Sequence, residues 1–221
     1  MTQRKTVPAP PPEHGRPTHP PRRTMTESRR LLLIQGHPDP GPARLGVALQ
    51  RAYAEGALAA GHSVREVGVA ALDFPVLRSV QDWKTGAVPA ALAPVQQDIL
   101  WAQHLVWFFP LWMGDMPALL KAFIEQVARP GWAFDPEAKG PLGPRPLHGR
   151  SARVVVTMGM PALVYRYVYR AHSVRALERN VLGFIGIAPV HETLIGSVES
   201  ADPGARLRWL ARLRKLGAAG Q

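Results

Sequence analysis

Residues 31–46 read LLLIQGHPDPGPARLG, an aliphatic run, a turn-rich loop carrying a histidine, and then the opening of a helical pattern. Leu31 to Ile34 are continuously apolar, as a strand covered on both faces should be. Gly36, Pro38, Pro40, Gly41 and Pro42 punctuate the loop, and Pro42 suits the first position of a helix. The N–H groups of Ala43, Arg44 and Leu45 would then point out of the helix end, with the positive end of its dipole behind them. That is how an α/β sheet receives a phosphate. An ordinary strand-to-helix turn produces the same pattern, so this stretch by itself leaves both readings open.

Outward from it, strand and helix patterns alternate. A helix is predicted over Pro42–Ala60, closed by Gly61 as its C′ residue. A strand follows at Val64–Val69, and DFPVLRSVQDWKTGAVP (73–89) reads as a long connection. A helix over Pro89–Gln103 leads to HLVWFFP (104–110), a run of strong β-formers stopped by Pro110. Met116, Leu119, Leu120, Phe123, Ile124 and Val127 recur at the spacing of a half-buried helix. ARVVVTMG (152–159) and PVHETLIG (189–196) are the last two strands, and Ala205–Leu216 is a closing helix. Five strands joined by crossovers imply an α/β fold, a five-stranded parallel sheet with helices on both faces. Ligands of such sheets lie beyond the carboxyl ends of the strands. Three segments therefore carry the function: GHPDPGPAR (36–44), PLWMGDMPALLK (110–121) and TMGMPALVYRYVYRAH (157–172).

Composition removes several alternatives. The 221-residue chain has no cysteine, which excludes disulfides, thiolate clusters and cysteine nucleophiles, and fits a cytoplasmic protein. No apolar run reaches the ~20 residues of a membrane span. The formal charge of +11 is concentrated in part in residues 1–29, with six Lys/Arg against two Asp/Glu, and elsewhere is spread as isolated arginines. No basic-aromatic motif accompanies it, which argues against nucleic acid. The tail itself is proline-rich, basic and poor in large apolar residues, so disorder is expected over 1–29. Its Arg22-Arg23 and Arg29-Arg30 pairs lack the apolar stretch of an export signal. Met25 offers an alternative start to Met1. There is no GxSxG elbow, no HExxH or paired-histidine spacing for a metal, and no acidic acceptor at the end of the third strand.

In the second segment Leu111, Trp112 and Met113 stand at a strand's carboxyl end, where large apolar side chains need a cover. A flat conjugated ring would supply one, as would the domain's own core or a second subunit. In the third, Thr157 offers a hydroxyl and Gly159 a close backbone approach. Together the three segments resemble the flavodoxin-like NAD(P)H:quinone oxidoreductase family, from about Arg30 to Leu216, and PLW…PALLK is the most specific part of the likeness. The resemblance implies a flavin-binding domain over 30–217. It assigns His37, Gly41, Pro42, Ala43 and Arg44 to the flavin phosphate and Pro110, Leu111, Trp112 and Met113 to the ring wall. Thr157, Met158, Gly159 and Met160 fall to the ring's polar edge. The family's active-site tyrosine maps to Tyr165. Its histidine maps to His172, one residue later than usual, with Ala171 at the expected place. Two departures stand out: the first loop lacks the Ser/Thr hydroxyls many members use on the phosphate, and methionines replace the second Thr and second Gly of the TTGG-like loop.

The activity so implied is transfer of hydride from NAD(P)H through bound FMN, or FAD, to a quinone or similar small acceptor. Met113, Met116, Val164, Tyr165, Tyr167 and Tyr169 near the site exceed what one small domain easily buries, and a homodimer is expected. A second class stays open: an ancillary subunit of a potassium-efflux type transporter that uses flavin as a sensor. Its docking elements would be the basic tail and Arg206, Arg208, Arg212, Arg214 and Lys215, although a solvated helix face accounts for the same charges.

Overall fold

The computed structural model describes residues 27–137 and 146–221. Five strands, β1 (Arg30–Gln35), β2 (Ser63–Gly68), β3 (His104–Pro110), β4 (Ser151–Thr157) and β5 (Val190–Ile195), pair in the order β2-β1-β3-β4-β5. All four pairings are parallel. Apolar residues on successive positions of each central strand divide between two layers. Leu31, Leu33, Val106, Phe108, Val155 and Ile195 pack beneath α1 (Leu45–Ala59) and the closing helix over Pro203–Ala218. Leu32, Ile34, Leu105, Trp107, Val154 and Val156 form the other face. That second layer is closed by α3 (Ala93–Trp101) and α4 (Ala118–Val127).

Four boundaries differ from the sequence expectation. The first helix starts at Leu45, not Pro42, because the Arg44 N–H donates to the Gly41 carbonyl (3.2 Å) and closes a turn with Pro42 inside it. Proline favours the second position of such a turn as readily as a helix start, and here the turn prevails. The 73–89 connection contains a short helix, α2 (Val80–Thr85), whose Asp82 N–H is accepted by the Ser79 hydroxyl at 3.0 Å. The helix predicted over Pro89–Gln103 divides into a 3₁₀ turn at Ala90–Leu92 and α3. Between β4 and β5, α5 (Ala162–Tyr167) and α6 (His172–Ala176) are separated by Arg170 and Ala171, both at positive φ, and a wide π-type turn follows over Leu177–Leu182.

The closing helix, α7 (Pro203–Ala218), crosses α1 at glycine contacts. A Cβ on Gly56 would lie 2.0 Å from the Arg214 carbonyl oxygen, and one on Gly217 would lie 2.0 Å from that of Tyr53. Only a residue without a side chain permits this approach.

At the amino edge of the sheet the domain begins earlier than residue 30. The Ser28 hydroxyl donates to the Gly61 carbonyl (2.7 Å), and the Arg29 N–H donates to His62 Nδ1 (3.1 Å). The Arg29 guanidinium bonds the Gly220 carbonyl (2.7 Å) and the Ser151 hydroxyl (3.1 Å). The expectation of a disordered tail otherwise falls on residues 1–26, outside the described residues. Beside Arg29, His104 is buried with its Nδ1 2.7 Å from the Ser151 hydroxyl and its Nε2 without a partner. Burial first, then the charge of Arg29, pushes its pKa down to about 3.

Candidate functional site

The loops after β1, β3 and β4 meet at the carboxyl edge. The Gly36 N–H donates to the Phe108 carbonyl (2.7 Å), and the Leu111 N–H donates to the Thr157 carbonyl (2.8 Å). The His37 imidazole stands edge-on to Trp112, ring centroids 5.7 Å apart at 79°. The β5 end joins through Met158 N–H to the Ile195 carbonyl (2.9 Å) and Ser197 N–H to the Met160 carbonyl (3.0 Å).

The donors of the first loop can be counted one by one. Pro38, Pro40 and Pro42 have none. The His37 N–H goes to Gln35 Oε1 (3.2 Å), the Asp39 N–H to His37 Nδ1 (2.9 Å) and the Gly41 N–H to Asp39 Oδ1 (2.8 Å). The Arg44 N–H is spent on Gly41, and its guanidinium is ion-paired with the Asp39 carboxylate. Among the described residues, the N–H groups of Ala43, Leu45 and Gly46 are left without an acceptor. These three, at the positive end of α1, are what the loop offers an anion. Of the residues the resemblance assigned to the phosphate, Ala43 keeps a free donor. Gly41 and Arg44 have theirs engaged inside the loop, and Pro42 contributes only the turn. Because Nδ1 accepts from Asp39, His37 is held as the neutral Nε2–H tautomer. Burial and the Arg44 charge lower its pKa accordingly.

In the second loop, Trp112 and Asp115 exchange backbone hydrogen bonds (2.8 and 2.9 Å) around Met113 and Gly114, with φ of 49° and 82°. Positive φ at both central positions is the tight I′ turn, which explains the glycine but leaves Met113 in a conformation side chains avoid. Pro110 and Leu111 are half-buried and Trp112 is 48 % exposed beside His37, whereas Met113 projects fully into solvent. In the third loop, Thr157 is buried, Gly159 is exposed and Met160 half-buried. Met158 departs from its assignment: its side chain is in the core and its N–H is committed to Ile195.

Tyr165 is buried. It is 2 % exposed, packed in the core layer, with its hydroxyl 2.6 Å from that of Ser173. His172, at the start of α6, is exposed.

Sequence reasoning missed the parts played by five polar residues here. Gln35 accepts from the first loop and donates to Gln50 (3.0 Å), which donates to Glu66 (2.5 Å), a ladder from the sheet edge to His37. A cavity of about 490 Å³ between α1 and β2 adjoins this ladder. Asp39 organises the loop, and an Asp two residues before a glycine among prolines is an Asx-turn signature that was available in the sequence. Glu199, after β5, brings a carboxylate oxygen to 3.3 Å from where a Cβ on Gly159 would stand. Nothing in the sequence signals that last contact, because it joins two distant loops.

A family profile described as flavodoxin-like fold matches residues 29–216. An FMN-dependent NADH:quinone oxidoreductase of Hahella chejuensis is 37 % identical over 113 residues, covering 49 % of this chain and 52 % of that protein. A ribosyldihydronicotinamide dehydrogenase-like protein of Penicillium crustosum is 27 % identical over 155 residues, covering 59 % and 57 %. The chain thus spans about half the length of the curated relatives it matches. Among solved structures, the NAD(P)H:quinone oxidoreductase of Methanothermobacter marburgensis superposes with a TM-score of 0.72 at 22 % identity, over 86 % of this chain and 96 % of that one. At that identity the likeness is one of fold. No helix among the described residues is long and apolar enough to cross a membrane.

Proposed function

This chain belongs to the flavodoxin-like family, and on that premise we propose that it is a flavin-dependent NAD(P)H oxidoreductase that holds FMN and reduces a quinone or similar small acceptor. The observation that carries the reading is the convergence of the three loops, with free backbone donors at one end and the exposed Trp112 face beside them. The residues present fit the group. The Ala43, Leu45 and Gly46 N–H groups and the α1 dipole take a phosphate, and Pro110, Leu111 and Trp112 form an apolar wall for a planar ring. The backbone of Gly159 and Met160 would line the ring's polar edge. Bound there, FMN supplies the two-electron chemistry between nicotinamide and acceptor. The chain contributes orientation, exclusion of water and a proton. We assign that proton to the His172 imidazole, since the Tyr165 hydroxyl is engaged with Ser173.

A second copy of the chain is the cover for Leu163, Tyr167, Val168 and Tyr169, all exposed on the segment that follows the third loop. The cytoplasm, where NAD(P)H is available, is the compartment this reading implies. The test is titration of the apoprotein with FMN by fluorescence, then stopped-flow reduction by NADH or NADPH and reoxidation by a panel of quinones and azo dyes. Saturable quenching and nicotinamide-driven reduction faster than free FMN in solution support the proposal. Absence of both overturns it.

A further inference from the structure

We infer that Asp39 is a built-in competitor of the flavin phosphate, a carboxylate already seated on the loop's own anion donors that sets how strongly the site discriminates a phosphorylated flavin from an unphosphorylated one. The inference rests on the FMN reading above. Three contacts carry it. Asp39 Oδ1 accepts the Gly41 N–H at 2.8 Å, Oδ2 accepts the Arg44 Nε–H at 2.8 Å, and the same oxygen is ion-paired with Arg44 Nη2. Gly41 and Arg44 are thus occupied by an anion that belongs to the chain itself.

The geometry sets the pair at the entrance to α1. A Cβ on Gly41 would stand 3.0 Å from Asp39 Oδ1 and 3.7 Å from Arg44 Nε, so the carboxylate and guanidinium lie directly over the turn that leads into α1. The three remaining donors, on Ala43, Leu45 and Gly46, follow within a few residues of that turn. A phosphate drawn to them comes up against a like charge, which costs affinity in proportion to its own charge. Both the Gly41 N–H and Arg44 hold the Asp39 carboxyl below the usual carboxylate range, so it is ionised at neutral pH. The pair is exposed on both sides, so its own contribution to stability is small and it can be opened.

The discriminating variant is Asp39→Asn, which keeps an oxygen to accept the Gly41 N–H and removes only the charge. FMN and riboflavin are titrated against wild type and variant, with the melting temperature as a check on folding. The expected result is an FMN affinity about tenfold tighter in Asp39→Asn, with riboflavin unchanged because it carries no phosphate. Arg44→Gln should cost FMN affinity in both backgrounds, because it leaves the Asp39 carboxylate uncompensated in wild type and removes the freed guanidinium in Asp39→Asn. FMN affinity that stays the same or weakens in Asp39→Asn overturns the inference while leaving the FMN site intact. So does a gain for riboflavin equal to that for FMN. Failure of wild type and variant alike to bind FMN overturns the functional reading, and this inference with it.

Discussion

At the scale of single residues, the hydroxyl of Tyr165 lies in the core, 2.6 Å from that of Ser173. Tyr165→Phe is accordingly expected to lower stability by about 1 kcal/mol, the worth of one buried hydrogen bond plus an unpaired Ser173 hydroxyl. FMN affinity and the rate of acceptor reduction should stay near wild type; a selective loss of acceptor turnover at unchanged stability would return the tyrosine to catalysis. His104 makes a second prediction. Its folded pKa is about 3 against an ordinary 6.5, so between those values the unfolded chain binds the extra proton. Stability contributed by neutral His104 is therefore full above pH 6.5 and is lost as pH falls toward 3, by at most about 1.4 kcal/mol per pH unit. Urea unfolding at pH 7 and pH 4 should show a smaller difference in His104→Gln than in wild type.

At the scale of elements, α1 and α7 are held at backbone contact by Gly56 and Gly217. Gly56→Ala would drive a methyl into the Arg214 carbonyl, and a loss of about 1–3 kcal/mol is expected from overpacking. An unchanged denaturation midpoint in Gly56→Ala would show that the helices slide apart freely. This contact illustrates what the sequence conveyed and what it did not. All five strands were legible to within about two residues, because continuous apolar runs bounded by Gly and Pro admit one interpretation when helices alternate with them. Helix starts were less so. Pro42 suits either a helix start or a turn, and the choice was made by an Asp39–Gly41–Arg44 arrangement that only the folded loop displays. The three loops of the site were readable from their places after strands. The state of each donor in them was not, because it depends on partners such as Gln35 and Glu199 that arrive from elsewhere.

At the scale of the whole molecule, the second loop and α5, which follow β3 and β4, both carry exposed apolar side chains. Light scattering at micromolar concentration should give twice the monomer mass, and Tyr167→Glu should shift it toward one. A monomer mass for the wild type would refute the second copy as the cover for these side chains. The parallel sheet has one further consequence. Every strand starts at the edge where Ser28 and Arg29 are bonded to Gly61, His62 and Gly220, and every strand ends at the edge that carries the three loops. Residue 28 and residue 220 are thus neighbours on the pole opposite the cleft. A fluorescent reporter, an electrode linker or a fusion partner attached through either of them would leave the cleft facing outward, so the protein can be immobilised by its base in a single orientation with its mouth open to the medium.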